Sequence, residues 1–326
     1  MKAVLCTEWG GPGKLSVGDT DPPSPAAGEV VIDVKAAGVN FADTLIIQGT
    51  YQLRPDFPFI PGLEVAGTVA ELGAGVDTIS IGDRVVGIPN IGAFAERVAV
   101  KAAAVVPIPE AMDFETAASF AVAYSTSHMA LGYRAGLKAG ETLMVFGAAG
   151  GVGLTAVEIG KVMGAQVIAC AGTREKLDLC AARGADHVVN YSDEDIRERV
   201  KEITGGKGAD VIYDPVGGES FEAAMRSVNW EGRIIVIGFA SGDFNRARTN
   251  ILLVKNIAVM GFYWGSYSMH RPSAIGESMT ELVHMWEAGR LKPHISHTMP
   301  LERAGDALAL MMDRRSTGKM VLTVGA

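Results

Sequence analysis

The sequence predicts a two-domain α/β protein, and three observations carry that expectation. The first third consists of short β-branched or alternating runs divided by glycine and proline clusters. From residue 142 to 238, apolar strands alternate with helices, the pattern of a doubly wound parallel sheet. Near the start of that alternation, a glycine-rich turn stands between a strand and a helix. At 326 residues the chain is long for one core and short for three.

In chain order, the expected strands of the first third are Lys2 to Cys6, Glu29 to Ala36, Glu64 to Leu72, Arg84 to Gly87 and Ala95 to Val100. Turns at Gly10 to Gly13, Pro22 to Gly28 and Gly73 to Gly75 punctuate them, as in a compact barrel or sandwich. Asp113 to Arg134 is alanine-rich with spaced apolar positions and reads as a helix. Strands are then expected at Thr142 to Phe146, Gln166 to Ala171, His187 to Asn190, Val211 to Asp214 and Gly232 to Gly238. The helices between them are Gly151 to Met163, Arg174 to Arg183, Asp193 to Thr204 and Ser220 to Val228. The tail adds helices at Ser278 to Ala288 and Glu302 to Met312, with a closing strand Lys319 to Val324.

Composition narrows the class. Apolar residues make up 48% and charged residues 20%, which excludes a disordered chain. Forty glycines without a three-residue period exclude collagen. A net charge of −8 argues against generic binding to nucleic acid or anionic lipid. Cys6, Cys170 and Cys180 are too few for a disulfide framework or a four-cysteine zinc site, and suit a reducing cytosol. The start MKAVLC does not read as a signal peptide, and no stretch approaches the roughly 20 apolar residues of a membrane helix. The expectation is a cytoplasmic protein.

The stretch TLMVFGAAGGVGLTAVEIGKVMG is the most informative. Ala149, Gly150, Gly151, Val152 and Gly153 open the helix. Gly150 and Gly151 let the backbone approach a pyrophosphate, and Gly153 allows close helix–strand packing. The free amides and positive end of the helix dipole favour the phosphates. This is the Rossmann dinucleotide-binding arrangement. An NAD site places Asp or Glu on the ribose about 20 residues later. Here the second strand ends in Gly172-Thr173-Arg174-Glu175-Lys176, with no acid at its tip. A hydroxyl and two cations suit a 2′-phosphate, so the expected cofactor is NADPH. Either cation alone more commonly just decorates the next helix. Tyr191, after the third strand, stands to pack near the same phosphate or on open surface.

The AAGGVG turn occurs with GVNFADTLIIQGTY (Gly38 to Tyr51), PFIPGLEVAGTV (Pro58 to Val69), IGDRVVG (Ile81 to Gly87) and STGKMVL (Ser316 to Leu322). Together they resemble the medium-chain dehydrogenases/reductases, and more narrowly the zinc-free quinone oxidoreductases related to zeta-crystallin. The resemblance spans essentially the whole chain. It implies a GroES-like β-rich catalytic domain plus a Rossmann doubly wound parallel-sheet domain, with the nicotinamide in the cleft between them. The implied boundaries are a GroES-like domain over 1–122, a Rossmann NADPH-binding domain over 123–260, and a return to the catalytic domain over 261–326.

In zinc-dependent relatives cysteine and histidine hold a catalytic metal. By resemblance those positions are Asn40, Leu63 and the neighbourhood of Val122, so no metal is expected. His294 and His297, three apart beside a proline, read as loop residues rather than ligands. The resemblance assigns the substrate cleft to Asn40, Asp43 and Tyr51 as catalytic candidates, with Asn40 also lining the cofactor. Asn40 and Tyr51 are neutral hydrogen-bond donors; Asp43 reads equally well as a helix-capping residue, and Glu64 as one half of a structural ion pair. Thr126, Val216, Gly217, Phe239, Phe262, Tyr263 and Trp264 are further cofactor positions. Arg314, or Arg315 in the alternative register, supplies a basic residue near the adenosine phosphate.

Without a Lewis acid, hydride transfer favours an acceptor whose negative charge develops on a conjugated oxygen, where hydrogen bonds suffice. The expected partner is a small quinone or α,β-unsaturated carbonyl, and the expected assembly a homodimer. A 2-enoyl thioester reductase is the nearest alternative. A noncatalytic NADPH-binding protein, crystallin-like or RNA-binding, is the alternative of another class.

Overall fold

The structure is a computed structural model that describes residues 1–325. It divides into two compact units. Among the described residues, the first comprises 1–125, 268–284 and 293–325; the second comprises 126–267 and 285–292.

The first unit is built on a seven-stranded sheet. Its path runs Ile295–Pro300, Lys319–Thr323, Glu29–Val39, Glu64–Leu72, Arg84–Gly87 and Val105–Pro107, with Arg97–Lys101 also paired to Glu29–Val39. All pairings are antiparallel except that of the first two strands. Strand Glu29–Val39 lies at the centre, and its Val30, Ile32, Val34 and Val39 enter the core with Val65, Val85 and Leu322. Lys2–Leu5 and Ser16–Asp19 form a separate antiparallel pair.

The second unit holds a six-stranded, all-parallel sheet. Its order is His187–Asn190, Gln166–Ala171, Thr142–Val145, Ala209–Asp214, Val228–Val236 and Ala258–Gly261. The chain thus starts in the middle of the sheet, winds to one edge, and returns to build the other half. Ligands of such sheets bind beyond the carboxyl ends of the strands, where the winding reverses. Met144, Ile168, Val189, Ile212 and Ile234 are fully buried, which explains why these strands read as continuous apolar runs.

Three expectations need correction. Residues 113–134 do not form one helix. Helix Phe114–Ala118 stops at Ser119, helix Ala121–His128 begins after Phe120, and Met129–Arg134 is a π-helical turn. The stop is local: the Ser119 N–H bonds both Glu115 O and Thr116 O, and its hydroxyl returns to Thr116 O at 2.8 Å. His297 is not in a loop but in strand Ile295–Pro300, opposite Met320. That strand's polar edge and terminal proline hide it in the sequence. Strand Val228–Val236 begins four residues before its expected start, because Glu231 adopts φ +59 and Gly232 follows, a break that reads as a turn. Helices Phe41–Ile47 and Thr249–Lys255 and strand Ala258–Gly261 were not legible as periodic runs.

Candidate active site

In the second unit, the strand Thr142–Val145 delivers the chain into the glycine turn. Gly147 adopts φ +54, and Gly150 caps helix Gly151–Val162 in extended conformation with no side-chain hydrogen bond to the first turn. Helices often recruit Ser, Thr or Asp for those orphan amides, and Gly150 offers them no side-chain oxygen. A Cβ on Gly153 would run into the Gly147 carbonyl oxygen and sit 2.9 Å from the Ala148 Cα. Only glycine lets the turn fold so closely over the helix start. At Gly150 a Cβ would lie 3.3 Å from Gly147 O, so that position has more space. Ala149 is buried, whereas Gly150, Gly151 and Val152 remain partly open.

A hydroxyl network fastens this helix start from below. Ser127 Oγ lies 2.9 Å from Val152 O, 2.8 Å from Thr155 Oγ1 and 3.0 Å from the Tyr213 hydroxyl. Thr126, beside it, is 6% exposed. Burial pushes the Tyr213 phenol upward and keeps it neutral at ordinary pH.

The next two strand ends come together beside the turn. Tyr191 N–H donates to Ala171 O at 3.2 Å and Ser192 Oγ to Gly172 O at 2.9 Å. A Cβ on Gly172 would stand 2.9 Å from the Tyr191 ring, so the ring lies over that glycine. Thr173 is the N-cap of helix Arg174–Ala182, its hydroxyl accepting from Lys176 N–H at 3.4 Å. Arg174 is largely exposed and pairs with Asp178 at 2.8 Å along its own helix. The structure therefore gathers Gly172, Thr173, Arg174, Lys176 and Tyr191 into one corner, with Thr173, Arg174 and Tyr191 exposed and Gly172 and Lys176 half-buried.

On the other half of the sheet, Asp214 organises the loop that follows its strand. Its Oδ1 accepts the N–H groups of Val216 at 3.0 Å and Gly217 at 2.9 Å. Burial holds its carboxyl above the usual range, opposed by those amides and by Asn245. The Val216 side chain lies against Gly147, and Phe239 lies against Gly217 and edge-on to Phe244. Phe262 is buried and tilted against Tyr267, while Tyr263 is 38% exposed and Trp264 half-buried.

The remaining candidates belong to the first unit. Arg314 follows helix Ala304–Met312 in the left-handed region, φ +57, with Arg315 next to it; both are exposed. Tyr51 is half-buried against the unit's apolar core. Asn40 is the N-cap of helix Phe41–Ile47, and Asp43, at its third position, accepts the Asn40 N–H at 2.7 Å. This capping carboxyl is fully buried; desolvation pushes it up to about 7, against the Asn40 amide and the Lys319 charge.

Sequence reading missed the centre of this cluster. Lys319 is 3% exposed, and its Nζ donates to Glu64 Oε1 at 2.8 Å, Asn40 Oδ1 at 2.6 Å and Val39 O at 2.9 Å. Glu64, fully buried, also accepts the Asn40 amide at 2.8 Å and, through Oε2, the Val122 N–H at 2.7 Å. Val122 N–H is an orphan of the first helical turn created by the break at Ser119 and Phe120. Gly38 makes room, since a Cβ there would strike the Glu64 carboxylate and Ala118 O. The one available signal was a lysine in an otherwise apolar strand. Of the positions that by resemblance correspond to zinc ligands, Asn40 binds the Lys319 ammonium directly, and Val122 is tied to it through Glu64. Leu63 and Val122 offer no side-chain donor, Asn40 and Glu64 are engaged by Lys319, and among the described residues no group of three His, Cys, Asp or Glu fits a metal. This donor set does not fit zinc.

The alcohol dehydrogenase GroES-like domain family matches residues 26–110, and the zinc-binding dehydrogenase family matches residues 151–282. With this two-unit fold, the chain belongs to the medium-chain dehydrogenase/reductase family, on the side of the quinone oxidoreductases. Quinone oxidoreductase-like protein 2 of Rattus norvegicus is 40% identical over 324 residues, covering 99% of this chain and 92% of that protein. The quinone oxidoreductase of Escherichia coli, solved in complex with NADPH, matches with TM-score 0.92 and 32% identity over 99% of this chain and 100% of that one. The quinone oxidoreductase of Pseudomonas syringae pv. Tomato DC3000 matches with TM-score 0.93 and 33% identity, covering 99% of each chain.

Proposed function

We propose that this protein is an NADPH-dependent reductase that transfers hydride to a quinone or an α,β-unsaturated carbonyl without a metal. The observation that carries the reading is the start of helix Gly151–Val162, which has no side-chain cap, beside a strand tip at Gly172 and Thr173 that lacks an acid and is followed by Arg174 and Lys176. Amides of Gly151 and Val152 at the helix start suit a pyrophosphate, and the chemistry of Thr173, Arg174, Lys176 and Tyr191 suits a 2′-phosphate. The NADPH found in the Escherichia coli relative supports the same choice. Bound NADPH supplies the hydride. Val216 and Gly217, in a loop held by Asp214, wall the cofactor site on its other side together with Phe239, which packs on Gly217 from the loop after strand Val228–Val236.

The substrate half rests on the donors of the first unit. An alkoxide needs a strong electrophile, and Asn40 and Glu64 are instead engaged by the internal Lys319 ammonium. Neutral donors such as Asn40 and Tyr51 steady a delocalised enolate or quinol oxygen, at about 2.7–4 kcal/mol per well-aimed donor. Names of the relatives favour a quinone within this class. The family resemblance suggests a homodimer and the three separated cysteines a reducing cytoplasm, which sedimentation and cell fractionation would test.

The deciding experiment follows NADPH oxidation with one quinone, one enone and one enoyl thioester, and NADP⁺ reduction with one secondary alcohol. Quinone or enone turnover with negligible alcohol oxidation is expected. Fast alcohol oxidation, or preference for the thioester, would replace the substrate class. Tyr51→Phe should lower enone turnover more than quinone turnover, because a quinol anion is already well delocalised; equal rates in mutant and wild type would remove Tyr51 from the chemistry.

A further inference from the structure

Three segments far apart in the chain meet at the Lys319 ammonium. Its three hydrogens have three acceptors, Val39 O, Asn40 Oδ1 and Glu64 Oε1, at 2.6–2.9 Å. Asn40 is consequently held at both ends of its amide, with the oxygen toward the cation and the nitrogen toward the Glu64 carboxylate at 2.8 Å. Flipping the amide would set its NH₂ against the ammonium and its oxygen against the carboxylate. One rotamer and one flip state survive. The amide nitrogen carries a second hydrogen, and its nearest protein acceptor, Gly38 O, is at 3.5 Å, too far to engage it well. Meanwhile Glu64 Oε2 ties the start of helix Ala121–His128 into the same knot.

A buried ion pair is a poor stabiliser, because desolvation of the two charges offsets most of their attraction. Apolar residues of similar volume would hold these strands together as well. What they would not do is orient an amide. We propose that Lys319, with Glu64, is a positioning residue for the reaction: the pair fixes the Asn40 amide so that its second hydrogen is presented to the bound substrate or cofactor. This rests on the reductase reading, in which Asn40 faces the chemistry.

The test separates folding from orientation. Lys319→Met alone leaves Glu64 buried without its cation and should be strongly destabilised. The double variant Lys319→Met with Glu64→Leu removes both charges and should fold with a melting temperature near that of wild type. In it, NADPH affinity should stay within about threefold while kcat for the best quinone or enone falls about tenfold or more with little change in KM. Asn40→Ala should cost wild type a similar factor and cost the double variant nothing further, the non-additivity expected of residues acting as a unit. Hydrogen exchange of segment 38–48 should accelerate at least about tenfold in the double variant. If the double variant does not fold, Glu64→Gln, which keeps the shape and removes the charge, carries the same cycle and the same exchange measurement. Wild-type kcat in a folded variant, a fully additive loss with Asn40→Ala, or unchanged exchange in segment 38–48 would each overturn the proposal. Should wild type reduce no quinone or enone, the reductase reading falls, and the exchange measurement still decides whether the pair orders Asn40.

Discussion

At Asp43 one carboxylate oxygen takes the Asn40 N–H at 2.7 Å, and the other is buried without a partner. Burial raises this group to about 7, from near 4 in an unfolded chain. The fold therefore prefers the protonated acid. Its stabilising effect is complete below the unfolded value and is lost as pH rises toward 7, at up to roughly 1.4 kcal/mol per pH unit. Urea midpoints of wild type and Asp43→Asn at pH 5 and 7.5 should accordingly converge or cross, wild type losing stability relative to the variant as pH rises. Parallel midpoints would mean that Asp43 stays ionised throughout. In the cation-bearing corner, Thr173 and Lys176 have separable roles. Thr173→Ala removes an N-cap and should cost about 1 kcal/mol of stability. Lys176→Ala should leave melting unchanged and weaken NADPH about tenfold, a charge-assisted contact being worth roughly 1.5–3 kcal/mol, while NADH binding barely moves. Equal loss for both cofactors, measured by fluorescence titration, would assign Lys176 to the fold.

The glycine turn shows how one element divides its work between neighbouring residues. At Gly153 the obstacle to a side chain is backbone, the Gly147 carbonyl and Ala148 Cα, which cannot move without unmaking the turn. Gly153→Ala should cost about 1–3 kcal/mol of stability, as overpacking does, and NADPH binding with it. Gly150 faces only Gly147 O at 3.3 Å. Gly150→Ala should keep its melting temperature within a few degrees and still weaken NADPH, since the new methyl stands where the backbone must approach phosphate. Thermal melts paired with NADPH titration separate the two; a Gly153→Ala protein that melts like wild type would contradict the steric account.

Over the whole molecule, the three thiols report on the two units separately. Cys6 lies in the first unit, Cys170 and Cys180 in the second, and all three are buried. Burial pushes each thiol upward, Cys180 to about 12, so thiolate is scarce as well as sheltered. A thiol reagent should label none of them in the native protein on the timescale of minutes. At a hundredfold excess of NADPH over its Kd, opening of the second unit becomes about 2.7 kcal/mol harder, and labelling of Cys170 and Cys180 roughly a hundredfold slower. Mass spectrometry of labelled peptides checks this, and rapid native labelling would refute it. No helix among the described residues is long and apolar enough to cross a membrane.

The sequence by itself determined the parallel sheet, its glycine turn and the acid-free strand tip after Ala171. Those features are contiguous: periodicity, a strand–turn–helix junction and a spacing of about 20 residues are all written within short windows. The π-helical turn at Met129–Arg134 and the break at Ser119 were illegible because alanine-rich sequence supports helix throughout, and only back-bonding and a distant carboxylate decide where it stops. Tertiary structure alone decided the knot of Lys319, Glu64, Asn40 and Val122. Its members are up to 279 positions apart, and a single lysine in an apolar strand carries no periodic signal. A buried charge is tolerable only where its partners are brought to it. Which partners those are depends on strand Lys319–Thr323 pairing beside Glu29–Val39, a long-range register that no local pattern specifies.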